Sequence, residues 1–223
     1  RGDHLDLGPR EVTGMPGWQA RFWRLLREAP RAPRKLDHRH NFAISGVGCR
    51  HLVEGHAAQV PALRALIAAD PQRWRRGIVV IRVGINDLGS REVLDRVAAG
   101  DHSEADRRIE RCHQSIALAV DQLLGEQPGL RIVLIGLFDN AHWAPQHQRW
   151  QDPSAMARLD AHAERYDAGL RRIAADRGAL FFSDRDWFRA RWGGRDGEGR
   201  PAYRTLTLGA WRIGNSQGDA AQH

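Results

Sequence analysis

Hydrophobic positions along the chain fall into two periods. Short uninterrupted apolar runs, "GIVVIRV" at 77–83 and "LRIVLIGLF" at 130–138, read as strands. The first has no polar alternation, which predicts burial on both faces, as in a parallel sheet, and the second reads as the next buried strand. "HNFAISG" at 40–46 and "ALFFSD" at 179–184 read as two further short strands. Between them lie stretches of helical period: "GWQARFWRLLREA" at 17–29, with Trp18, Phe22, Leu25 and Leu26 in register, and "AAQVPALRALIAAD" at 57–70, with Pro61 near its start. The clearest runs from Ser103 to Gln127, where Ile109, Cys112, Ile116, Val120 and Leu123 form one stripe behind an acidic start. Another spans 154–178 and is stopped by Gly178, and "RDWFRARW" at 185–192 is short and helical. "GGRDGEGRPAY" at 193–203 is a charged, glycine-rich surface loop. Strands alternating with helices predict an α/β fold with a parallel sheet.

Length and composition narrow this further. A chain of 223 residues fits one α/β domain, 1–223, better than two. Apolar content of 42% with 27% charged residues is that of an ordinary globular protein, and no apolar run approaches the roughly 20 residues that span a bilayer. The net charge of +7 is nearly all arginine, Lys35 being the single lysine. These arginines are scattered and not blocked, so a solvated surface is favoured over a nucleic-acid face. Cys49 and Cys112 allow one bridge that spacing does not determine, and Cys49 reads as a buried thiol in preference to a nucleophile. His38, His40, His51 and His56 follow no strong zinc pattern, so no metal is expected.

In open parallel sheets ligands bind at the carboxyl ends of strands. Three predicted strand ends are polar: Ser45-Gly46, Gly84 to Asp87, and Asp139-Asn140. An asparagine beside a glycine presents an amide donor, and a strand-end glycine presents a bare N–H; together they suit a developing oxyanion. Ser45 lacks a Gly-x-Ser-x-Gly setting and reads as a local hydrogen-bonder. Trp143 and His142 are candidates for a substrate groove, while Trp74, Trp150, Trp187, Trp192 and Trp211 read mainly as core or loop anchors.

These blocks resemble the SGNH (GDSL-type) hydrolases. Gly84, Asn86 and Asp87 match the family's Gly-x-Asn-Asp block in full, "NFAISGVGCRHL" is similar to its second block with Gly46 as the backbone donor, and "RGDHLDLG" is similar to its first through Gly2, Asp3, Leu5 and Gly8. The resemblance implies a three-layer α/β/α, flavodoxin-like fold. It implies hydrolysis of a carboxylic ester, on a lipid, a carbohydrate or another small molecule, with no metal or organic cofactor. Gly46 and Asn86 would form the oxyanion hole, with Gly2, Asp3, Gly84 and Asp87 structural around it. Many relatives are exported, which favours a secreted or periplasmic location. Oligomeric state is not readable.

Two departures matter. The family's serine falls on His4, which cannot simply repeat serine's role beside a histidine base. At the other end Asp219 and His223 are four apart where the family has Asp-x-x-His, so they are weak candidates for acid and base. A first strand would precede Gly2 and the true block would follow His223; the chain is expected to be a fragment at both ends. Three readings stay open: a serine-type esterase or acylhydrolase, active or inactive in this chain, a non-catalytic ligand-binding relative, and an arginine-rich nucleic-acid binder.

Overall fold

The computed structural model describes residues 40–44, 46–56, 58–137, 150, 152–192, 206–208 and 211–213. A 3₁₀ turn, Cys49–Leu52, is followed by α1 (Gln59–Ala69), α2 (Pro71–Trp74), β1 (Ile78–Ile81), α3 (Ile85–Leu88), α4 (Arg91–Ala98), α5 (Ser103–Glu126), β2 (Arg131–Ile135), α6 (Pro153–Arg177), β3 (Leu180–Phe182) and α7 (Asp184–Trp192). A short hairpin, β4 (Leu206–Leu208) with β5 (Trp211–Ile213), closes the series.

β1, β2 and β3 form a parallel sheet in sequence order, Ile81 opposite Leu134 and Leu134 opposite Phe181. Such neighbours are what the last three strands of a flavodoxin-like order would be. The two long helices form where the periodicity predicts them. Every residue of the α5 stripe, Ile109, Cys112, Ile116, Val120 and Leu123, is buried. Asp101 serves its start, accepting from the Ser103 backbone N–H and hydroxyl. Asp152 caps α6 through the Ala155 N–H at 2.9 Å, with Pro153 next, and Gly178 ends it at φ +65°. Ile81, Ile132 and Leu134 join the α1, α5 and α6 stripes in one core. A second cluster packs Val93, Leu94 and Val97 of α4 against Leu159 and Trp150, whose indole N–H reaches Asp95.

Three expectations need correction. β1 is not buried on both faces: Ile78 and Val80 are 57% and 58% exposed, and Leu180 and Phe182 of β3 share that bare face. The core that these strands join packs on the opposite face, so β1 alternates. Residues 41–44 form no strand; the Asn41 side chain accepts from the Ala43 N–H, a local bond that competes with a ladder. The thiol reading of Cys49 also fails, because Cys49 and Cys112 are bridged, their Cα atoms 5.0 Å apart. Closing a loop across 63 positions stabilises the fold by about 4 kcal/mol in the chain-entropy model. The helix α4 and the β4–β5 hairpin were not anticipated. The segments at 17–29 and 193–203 lie outside the described residues.

Candidate functional site

β1 runs into Val83 and Gly84, and the chain then turns at once into the single helical turn α3. Gly84 makes this possible. Its φ of +108° is unfavourable for residues with a Cβ, and a Cβ there would fall 2.6 Å from the Tyr166 hydroxyl. The same hydroxyl, fully buried on α6, donates to the Val83 carbonyl at 2.8 Å. One turn earlier on α6, the His162 ring meets the Leu88 carbonyl at 3.3 Å. Burial holds His162 below the usual imidazole range, so the neutral ring is favoured. α3 is therefore clamped at both ends from one face of α6.

Asn86 and Asp87 leave this turn toward the segment before the 3₁₀ turn. The Asn86 side-chain amide donates to the Val47 carbonyl at 2.9 Å, and the Cys49 backbone N–H donates to Asp87 Oδ2 at 2.9 Å. Gly48 lies so close to Asp87 that a Cβ would sit 2.5 Å from Oδ1. Arg108 of α5 donates to the Asp87 carbonyl at 3.0 Å. Gly46, one residue before Val47, is exposed with φ +81°. An NH2 group has two N–H donors. Among the described residues Asn86 spends one, and neither its second nor the Gly46 N–H has a partner.

Asn86 and Asp87 are thus joined to Val47 and Cys49, in the segment that Gly46 opens. Gly2, Asp3, His4, Ser45, Asp139, Asn140, His142, Trp143, Asp219 and His223 lie outside the described residues. Sequence reasoning missed the supporting groups Tyr166, His162, Arg108 and the bridge; nothing in their spacing points to a turn decades of residues away. Among the described residues, Cys49, Asp87 and Cys112 bring potential metal-ligand atoms within 4.8 Å of one another, but the two sulfurs are bonded to each other and offer no thiolate. No described helix is long and apolar enough to cross a membrane.

At the carboxyl end of β2, the Leu137 N–H donates to Asp167 Oδ1 at 3.0 Å. Asp167 is fully buried, and burial pushes its carboxyl up to about 6 despite that bond and the nearby Arg185. Arg185, itself buried, stands 3.5 Å from Asp167 and pairs more closely with Glu164. Many other arginines also meet carboxylates, Arg64 with Glu126, Arg177 with Asp121 and Arg189 with Asp160 among them.

A comparison with curated proteins finds no match. The model of the GDSL-like Lipase/Acylhydrolase family matches residues 3–201. The parallel sheet, with helices packed on one face among the described residues, is consistent with the three-layer α/β/α fold of that family. With that match spanning most of the sequence and its Gly-x-Asn-Asp turn built as described, the chain belongs to the GDSL-like lipase/acylhydrolase family.

Proposed function

We propose that the protein binds a carboxylic ester, of a lipid or carbohydrate, at the Gly46 N–H and the Asn86 amide. It derives from serine-type esterases, with His4 at the nucleophile's position. The observation that carries this reading is the Asn86–Val47 bond, which ties the Asn86 amide to the residue that follows Gly46 and leaves its second hydrogen without a partner among the described residues. Donors set in advance stabilise the tetrahedral oxyanion without reorganising during the reaction.

In the full mechanism a hydroxyl at position 4 attacks the carbonyl, a histidine takes its proton, and an aspartate orients the imidazole. His223 and Asp219 are the candidates in this chain. His4 attacking instead would form an acyl-imidazole, which water cleaves readily, but a second histidine does not activate it as it does serine. Turnover is therefore low in the chain as it stands, and ester binding persists. His4 also favours a second reading, a relative that binds esters or carboxylates without cleaving them.

Hydrolysis of p-nitrophenyl butyrate tests both. In a chain that also carries an Asp-x-x-His block, His4→Ser is expected to raise turnover, and Asn86→Ala added to it should cost about a hundredfold or more. Ester turnover in the unaltered chain that is indifferent to Asn86→Ala would overturn the proposal. Thermal stabilisation by the ester with no gain from His4→Ser would establish the non-catalytic reading.

A further inference from the structure

Residues 46–52 carry one proposed oxyanion donor, yet among the described residues their fold is held by few bonds. The backbone bonds of this stretch are local, His51 N–H to the Gly48 carbonyl and Val53 N–H to the Arg50 carbonyl, with the Gly48 N–H turned to the His51 ring. The preceding residues 41–44 join no strand. Among the described residues, registration against α3 comes from two bonds, Asn86 to Val47 and Cys49 to Asp87.

Helix α5 grips both partners of this pairing. Cys112 is joined to Cys49, on the turn; Arg108 holds the Asp87 carbonyl, on α3. Positions 108 and 112 are one helical turn apart and share a face. Both sulfur-bearing residues are 1% exposed, so this end of the grip is rooted in the core. Arg108 is steadied in turn by Glu104 at 2.7 Å.

We propose that Arg108 and the Cys49–Cys112 bridge are positioning residues for the oxyanion donors: α5 is a bracket that sets the Gly46–Cys49 segment in register with Asn86. The inference rests on the reading of Gly46 and Asn86 as those donors, but its geometry is testable without turnover. Without the bridge, the Val47 carbonyl is free to drift from Asn86, and the two donors lose their common aim.

The test is ¹H–¹⁵N NMR of the whole chain, with the Cys49→Ala/Cys112→Ala double variant and, separately, Arg108→Met. In the unaltered protein the Asn86 NH2 should give two well-separated proton signals, one bonded and one not. Both variants should bring them together and move the Gly46 N–H, while circular dichroism shows the helices intact. Arg108→Met keeps the bridge, so it serves if the double variant does not fold. Unchanged Asn86 and Gly46 signals in a folded variant would overturn the bracket. On the His4→Ser background, loss of the bridge should lower kcat by about tenfold to a hundredfold with KM little changed. Asn86→Ala should then cost less than it does with the bridge present. Full additivity would also overturn the proposal. Absence of any turnover alongside the expected NMR changes would instead refute the catalytic reading alone.

Discussion

Gly84 shows how a single position couples backbone geometry to packing. It turns the chain at φ +108°, and its missing Cβ leaves space for the Tyr166 hydroxyl that caps Val83. Gly84→Ala should destabilise by about 1–3 kcal/mol, combining a left-handed alanine with a displaced hydroxyl. Tyr166→Phe should cost about 1–2 kcal/mol by leaving the Val83 carbonyl without its donor. Because the two residues compete for one space, urea denaturation of the double variant should show less than the sum. Strict additivity would mean that the clash is relieved elsewhere. The glycine was readable from sequence as a turn; its partner was not, since Tyr166 stands 82 positions away.

At the scale of elements, α6 fastens the carboxyl ends of both β1 and β2, through Tyr166 and Asp167 respectively. Asp167 faces Arg185 and Glu164, with Arg171 also acting on it. Its carboxyl goes from an ordinary 3.8 to about 6 on burial, so the folded protein holds the proton more tightly than the unfolded chain. The stability this proton contributes is complete below pH 3.8 and is lost as pH rises through about 6. Asp167→Asn keeps the acceptor for Leu137 and removes the ionisation. Relative to the unaltered protein it should gain up to about 3 kcal/mol between those limits, measured by urea titrations across pH. A difference that stays flat with pH would show that Asp167 ionises normally. The long helices themselves were legible because their stripes repeat over many turns. Exposure of Ile78 and Val80 was not, because an apolar run states what a strand could bury and not which faces are covered.

Across the whole molecule, the candidate site unites segments separated in sequence by 39 positions at Val47 and Asn86, held from α5 and α6. The Gly-x-Asn-Asp block was visible as a strand-end motif, and it does follow β1; its pairing with the segment at Val47 and Cys49 rests on two polar bonds instead of a neighbouring strand end. The bracket from α5 was invisible because two cysteines permit a bridge without requiring it. The strand expected at 41–44 failed where a local asparagine bond took the place of a ladder. These outcomes share a cause: sequence reports local period and chemistry well, and long-range polar partners hardly at all. The central claim is that the Gly46 N–H and the Asn86 amide face one oxyanion. It is met most directly by ¹H–¹⁵N NMR titration with methyl hexylphosphonate, an anionic tetrahedral ester analogue. Both signals should shift with the same midpoint, and Asn86→Ala should abolish the Gly46 response. Shifts with different midpoints, or confined to other parts of the chain, would contradict it.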